Sequence, residues 1–346
     1  MPDATVIPIS GGDDPGRKAA SRAAREAGAT GPRRSRAPKP PTQDVVEAAT
    51  DAMELIAEGE HDIDGSPSRL DEGLAEWLDF LRRRLTGEYQ VDDFGFDPEL
   101  TDRVLLAPLR PLYEKWFRVE TRGIENVPSE GGALVVANHS GTIALDSVMT
   151  QLALHDHHPA HRNLRMLGAN LVFQAPIMGE IARKSGHTLA CNPDAERLLS
   201  GGEIVGVWPE GFKGIGKNYS ERYKLQRFGR GGFVATALKT KTPIVPTAIV
   251  GAEEIYPMIA NAKTLARLFG LPYFPITPTF PWLGPLGLVP LPSKWIIEFC
   301  EPIRTDDLGP NAADDPMLVF NITDQVRETI QQSLYRLLVQ RRSVFS

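Results

Sequence analysis

His139 and Asp146 lie seven positions apart where a buried strand ends and a helix begins. An imidazole at a strand end suits a general base, because its ordinary pKa lies near 6.5. A carboxylate on its other ring nitrogen would fix the tautomer and stabilise the imidazolium that forms. Seven helical residues rise about 10 Å, too far for direct contact. The loop through Gly141 must therefore fold back for the pair to meet. A second group reads Trp208-Pro209-Glu210-Gly211-Phe212-Lys213-Gly214. Pro209 and Gly211 shape a turn, Glu210 can accept hydrogen bonds from hydroxyls, and Lys213 offers charge to a phosphate. A third is Phe228-Gly229-Arg230-Gly231-Gly232, with Arg227 just before it. Its glycines let backbone approach a ligand, while Arg227 and Arg230 supply forked donors suited to phosphate. Taken singly, each piece reads as an ordinary structural turn, and only the set points to chemistry.

The elements that must hold these residues alternate. ALVVANHS (133–140), EIVGVWPEG (203–211), PIVPTAIVG (243–251) and WIIEFCEPI (295–303) read as strands running into loops. Helical stretches are expected at 143–154, 193–200, 231–240 and about 316–342. Strands interleaved with helices predict an α/β fold, with a mixed, mainly parallel sheet flanked by helices. In such sheets sites form beyond the carboxyl ends of strands, where all three groups lie.

The net charge of −6 hides a division of the chain. Residues 1–43 hold 8 Lys and Arg against 4 Asp and Glu, set among Gly, Pro and Ser, and read as a disordered basic tail. Residues 44–102 hold 4 against 18 and read as an acidic helical extension. Within it Leu70, Leu74, Trp77, Leu78, Leu81 and Leu85 share a helical face, followed by Arg82, Arg83 and Arg84 near the helix end. Residues 103–346 form the main domain, with 26 Lys and Arg against 22 Asp and Glu. That small basic excess suits anionic lipid or a phosphorylated substrate, and equally a plain solvated surface. Cys191 and Cys300 are the two cysteines, and the opening MPDATVIPISGGDDPGRKAA holds no apolar stretch long enough for a signal peptide, so a reducing compartment is expected.

Two stretches suit a membrane interface. RVLLAPLRPLYEKWFR (103–118) mixes aromatic and cationic residues with leucines, with Pro108 and Pro111 breaking or kinking any helix. Residues 265–293 are apolar and long enough to span, but seven prolines between 272 and 292 rule out a continuous helix. A loop presenting Phe, Trp and Leu to one leaflet is the preferred reading there. Core packing is the alternative for both.

Together the motifs resemble the glycerophospholipid acyltransferase superfamily, from about residue 121 to 303. Asn138-His139…Asp146 is similar to its His/Asp block, although six residues separate the pair here where the family has four. Pro209-Glu210-Gly211 is similar to its acceptor-binding block, with Lys213 where the family commonly has Arg. Phe228 to Gly232 is similar to its basic-glycine stretch, and Ile244-Val245-Pro246-Thr247 to the proline block lining the acyl site. The resemblance implies that His139, oriented by Asp146, deprotonates an acceptor hydroxyl, and that Glu210 and Gly211 hold the acceptor. It also implies acyl-CoA or acyl carrier protein as co-substrate and no metal or other cofactor. The expected partners are a lysophospholipid, an acyl thioester and a membrane surface, with no nucleic acid. The expected location is the cytoplasmic face of a membrane, peripheral or monotopic.

Other readings stay open from sequence alone. The fold could serve a lipid-binding protein without turnover, or an acyltransferase acting on a neutral glycerolipid. His155, His157, His158 and His161 lie close enough in sequence to hold zinc, but Pro159 interrupts helical pairing and a solvated loop is the commoner outcome.

Overall fold

The computed structural model describes residues 69–229 and 231–345. The basic tail 1–43, residues 44–68 of the acidic extension, Arg230 and Ser346 lie outside the described residues. The chain divides into two compact units, one ending at Tyr89 and one beginning at Gln90. In the first, α1 (Arg69–Thr86) follows the leucine periodicity. Trp77 stacks on Phe80 at 5.0 Å, and Arg82 and Arg83 both pair with Asp79 one turn back.

The second unit is built on a seven-stranded sheet in the order β1-β9-β6-β2-β5-β3-β4. Its strands are β1 (Glu120–Arg122), β2 (Ala133–Ala137), β3 (Leu164–Gly168), β4 (Thr188–Leu189), β5 (Ile204–Val207), β6 (Ile244–Val250) and β9 (Ile296–Phe299). Every neighbouring pair is parallel except β6 with β9. The two-residue strands β7 (Ala260–Asn261) and β8 (Pro275–Ile276) form a separate antiparallel pair. The longer helices are α2 (Leu145–His157), α3 (Asn192–Ser200), α4 (Gly232–Thr240) and α5 (Pro316–Gln340).

The pleat explains why the central strands are apolar throughout. Ala133, Val135 and Ala137 of β2 join the core with Met149 and Leu152 of α2 and with Phe117 and Trp295. Leu134 and Val136 face the other way, toward Leu198 of α3, Val234 and Ala237 of α4, and Val326 and Ile330 of α5. A sheet covered on both faces has no polar side, so its strands read as continuous apolar runs. The mixed, mainly parallel α/β architecture expected from sequence is the one observed.

The two membrane-interface stretches part company. Residues 101–117 form tightly and loosely wound helical turns around Pro108 and Pro111. Leu106, Tyr113 and Phe117 are buried, with Phe117 stacked on Trp295 at 4.6 Å. These side chains pack into the core, while Val104 and Trp116 of the same stretch stay exposed. Residues 260–288 instead form the β7–β8 pair, a short helix between its strands (Lys263–Leu268) and a single turn (Gly284–Leu288). They leave Leu268, Phe269, Trp282 and Leu286 between 61% and 74% exposed. Among the described residues, no helix is long and apolar enough to cross a membrane.

Candidate active site

β2 ends at Ala137, and Asn138 anchors the exit: its side-chain amide donates to Ile249 O and its oxygen accepts from Ile249 N–H. His139 follows immediately. The chain then reverses at Gly141, whose φ of +94° is a region that glycine tolerates. A Cβ there would sit 2.8 Å from Ala252 O, so the loop has no room for a side chain. This reversal brings Asp146, in the first turn of α2, to 2.8 Å from His139 Nδ1. The wide spacing in sequence is therefore absorbed by the loop.

Asp146 is fully buried, and its oxygens are fixed by backbone amides. Oδ2 accepts from Ser140 N–H as well as facing His139, and Oδ1 accepts from Ser147 N–H. A carboxylate held this way accepts a proton-bearing Nδ1 and leaves Nε2 with its lone pair, the tautomer a general base requires. His139 itself is partly exposed, with the buried Trp208 ring 6.0 Å away.

Glu210 arrives from the end of β5, next to β2 in the sheet. Its side chain is buried and faces inward. Oε1 accepts from the His139 amide at 2.9 Å and Oε2 from the Gln226 amide at 2.6 Å. The carboxylate that the family resemblance assigns to the acceptor is thus occupied by the protein's own backbone. Gly214 packs where a Cβ would meet the His139 carbonyl at 2.8 Å, which seats the turn of Phe212–Ile215 directly on the His139 loop. Pro209 and Gly211 shape this turn, closed by Gly211 N–H to Trp208 O at 3.0 Å. Lys213 and Arg227 are both exposed, one in each loop tied down by Glu210 or its neighbours. Arg230 lies outside the described residues.

Beside these loops opens an apolar cavity of about 280 Å³. Thr142, Ile143 and Phe212 line it from the two site loops, and Tyr273, Phe280 and Leu288 from the apolar segment. None of its lining residues is charged. Tyr273 Oη donates to Thr142 O, and Thr142 Oγ1 donates to Tyr256 O at 3.2 Å, so the cavity wall is bonded to the loop that follows His139. Ile244-Val245-Pro246-Thr247 does not line this cavity; it forms the buried first half of β6.

The histidine-rich turn disperses its rings. His155 Nδ1 faces Asp156, His157 packs on Tyr113, His158 Nε2 donates to Val127 O, and His161 Nδ1 bonds to His155 O. Among the described residues, no group of three or more His, Cys, Asp or Glu is arranged to hold a metal. Lys217, Glu253, Tyr256 and Tyr273 also reach this region, with no mark in the sequence. A lysine or tyrosine in a loop carries no local signal of what it will meet, although Gly251-Ala252-Glu253-Glu254 at a strand end repeats the pattern of the other site loops.

The acyltransferase family model matches residues 118–250, which span His139, Asp146, Glu210 and the basic-glycine turn. The chain is 59% identical over 282 residues to an uncharacterized protein of Mycobacterium tuberculosis, covering 82% of this chain and 79% of that one. An uncharacterized protein of Mycobacterium leprae is 60% identical over 278 residues, with 80% and 76% covered. A Bos taurus protein named "DGAT1/2-independent enzyme synthesizing storage lipids" is 23% identical over 171 residues, 48% of each chain. The crystal structure of the 1-acyl-sn-glycerophosphate acyltransferase PlsC from Thermotoga maritima overlays with a TM-score of 0.43 at 15% identity, covering 85% and 90%. With the matching family model lying over the His/Asp pair and both loops packed around it, the chain carries the domain of the acyltransferase family over residues 118–250.

Proposed function

We propose that the protein moves a fatty acyl group from acyl-CoA or acyl carrier protein to the free hydroxyl of a lysophospholipid, with 1-acylglycerol-3-phosphate as acceptor, in phospholipid biosynthesis. The observation that carries this reading is the Asp146-held His139 beside an uncharged apolar cavity. His139 Nε2 takes the acceptor's hydroxyl proton as that oxygen adds to the thioester carbonyl. The tetrahedral intermediate collapses, the C–S bond breaks, and the thiolate leaves with the proton from the imidazolium. The cavity offers the acyl chain an apolar wall. Lys213 and Arg227, both exposed, are the cations this reading assigns to a phosphate-bearing acceptor, with Arg230 added from the sequence. The chain's own residues supply the proton transfers, and no metal or organic cofactor enters the scheme.

The apolar segment supports a peripheral or monotopic seat on the cytoplasmic face of a membrane. Leu268, Phe269, Trp282 and Leu286 stand exposed on the segment whose Leu271, Tyr273 and Leu288 line the cavity. A lipid chain could pass from a leaflet into the site without crossing water. A neutral glycerolipid acceptor is the second reading. It is favoured by the uncharged lining and by the storage-lipid function in the name of the bovine relative.

The test is a panel of lysophospholipids and neutral glycerolipids offered with one acyl-CoA, products followed by mass and free thiol by colour. Release of CoA with acylation of lysophosphatidic acid, abolished in His139→Ala, is the expected result. Acylation of diacylglycerol alone selects the second reading. Lipid binding without thiol release in the wild type would leave a binding protein of this fold.

A further inference from the structure

Behind the His139 loop lies a buried ionic cluster that the reaction scheme does not use. Lys217, in the loop after the Phe212–Ile215 turn, places Nζ 3.2 Å from Glu253 Oε1 and 3.4 Å from Glu210 Oε2. All three side chains are 5% exposed or less. Glu253 sits just past the end of β6, Glu210 just past β5 and His139 just past β2, so the cluster joins three adjacent strand ends.

Two carboxylates in one dry space repel each other, and each loses its hydration. One ammonium between them offsets both costs while it stays put. Glu210 has the more exacting task, since its two oxygens hold the amides of His139 and Gln226. A shift of that carboxylate carries the His139 backbone with it.

We propose that Lys217 is a positioning residue for acyl transfer: held by Glu253, it fixes Glu210, and Glu210 fixes the backbone of His139. The chain of contacts runs Glu253, Lys217, Glu210, His139, and rests on the reading of His139 as general base. The cluster carries net charge −1 with all groups ionised, and the same charge remains when Lys217 and Glu253 are both replaced by neutral residues. The double variant therefore avoids an extra uncompensated charge and keeps the test open if the single variant does not fold.

The experiment uses Lys217→Met, Glu253→Gln and the double variant in the full chain. One readout is the His139 amide in protein labelled with ¹⁵N-histidine, where only seven backbone amides appear. His139 is assigned by the loss of its peak in His139→Asn. The other readout is kcat and KM with the acceptor found above. In Lys217→Met the His139 amide should shift and exchange faster, while the remaining histidine amides keep their positions. kcat should fall about 10–100-fold, the scale of a misplaced catalytic group, with KM within about twofold. Because the residues act in series, the double variant should be no worse than Lys217→Met. An unmoved His139 amide in the folded variants, an unchanged kcat, or additive losses in the double variant would each overturn the proposal. If the wild type transfers no acyl group, the proposed function fails, and the amide readout still decides whether Lys217 positions His139.

Discussion

Glu210 accepts the backbone amide of His139 across 71 positions of chain, with the amide of Gln226 on its other oxygen. One buried carboxylate thus pins the loop that carries His139 to the loop that carries Arg227. Glu210→Gln retains the shape but offers one acceptor oxygen and one N–H pair, so one amide must face a donor. An unsatisfied buried donor costs about 1–3 kcal/mol. The expected result is a comparable loss in urea unfolding, with kcat down about 10–100-fold. Wild-type kcat in Glu210→Gln would remove the carboxylate from any positioning role.

Asp146 carries the same logic one step closer to the proton. Its Oδ2 faces both His139 Nδ1 and Ser140 N–H, and Oδ1 accepts Ser147 N–H. Asparagine cannot accept at both ends, and it can turn the imidazole to the wrong tautomer. kcat should fall by roughly 10²–10⁴, with KM changed far less. Steady-state kinetics on Asp146→Asn checks this, and a raised KM with kcat unchanged would assign Asp146 to binding.

The sheet and much of the site were legible in sequence for different reasons. β2, β5, β6 and β9 are buried on both faces, so unbroken apolar runs such as Ala133–Ala137 announce them. β1, β3 and β4 give no such signal, being short or carrying arginine: Arg165 of β3 is buried yet paired with Asp92 and Glu203 from distant segments. His139 and Asp146 stood out through residue type. Their contact depends on the positive φ of Gly141, which sequence permits but does not demand. Glu210 stands out by its type at a strand end, but nothing local says whether such a glutamate faces solvent or amides. Lys217 and Glu253 meet only through the order of strands in the sheet, which local pattern does not contain.

Gly141→Ala tests the loop that brings Asp146 to His139. The substitution must adopt a φ of +94° and push a methyl to 2.8 Å from Ala252 O. Backbone strain of this kind costs about 1–3 kcal/mol, and relief would come by moving the loop. The Tm should fall and kcat should fall with it. A variant with lowered Tm but full kcat would show that the loop need not hold this shape for turnover.

The exposed apolar segment predicts vesicle binding. Trp282 and Leu286 are 72% and 71% exposed, and neither lines the cavity. Replacing both by serine removes side chains worth about 1.5–3 kcal/mol each when fully buried in an apolar phase. Flotation with anionic vesicles should recover at least about tenfold less of the double variant, at an unchanged Tm. Equal recovery would move the membrane contact elsewhere.

Two buried groups give the stability a pH signature. Burial pushes His187 down from its ordinary 6.5 to about 4, with Nδ1 facing Ser185 Oγ at 2.9 Å. Its folded-state value is depressed, so its contribution is present above 6.5 and is lost as pH falls through 4. By linkage this amounts to about 3 kcal/mol. Burial pushes Glu253 up from 4.5 to about 7, against the pull of Lys217. Its folded-state value is raised, so its contribution is present below 4.5 and is lost as pH rises through 7. Between 4.5 and 6.5 the two oppose each other, and the wild-type curve there is flatter than either alone. His187→Gln removes one side of this balance: relative to wild type it should gain urea resistance steadily from pH 6.5 to 4. Glu253→Gln should gain in the opposite direction, from pH 4.5 to 7. A constant offset from lost contacts shifts each curve without changing its slope. Urea midpoints that run parallel to wild type across pH 4 to 8 would sink both assignments.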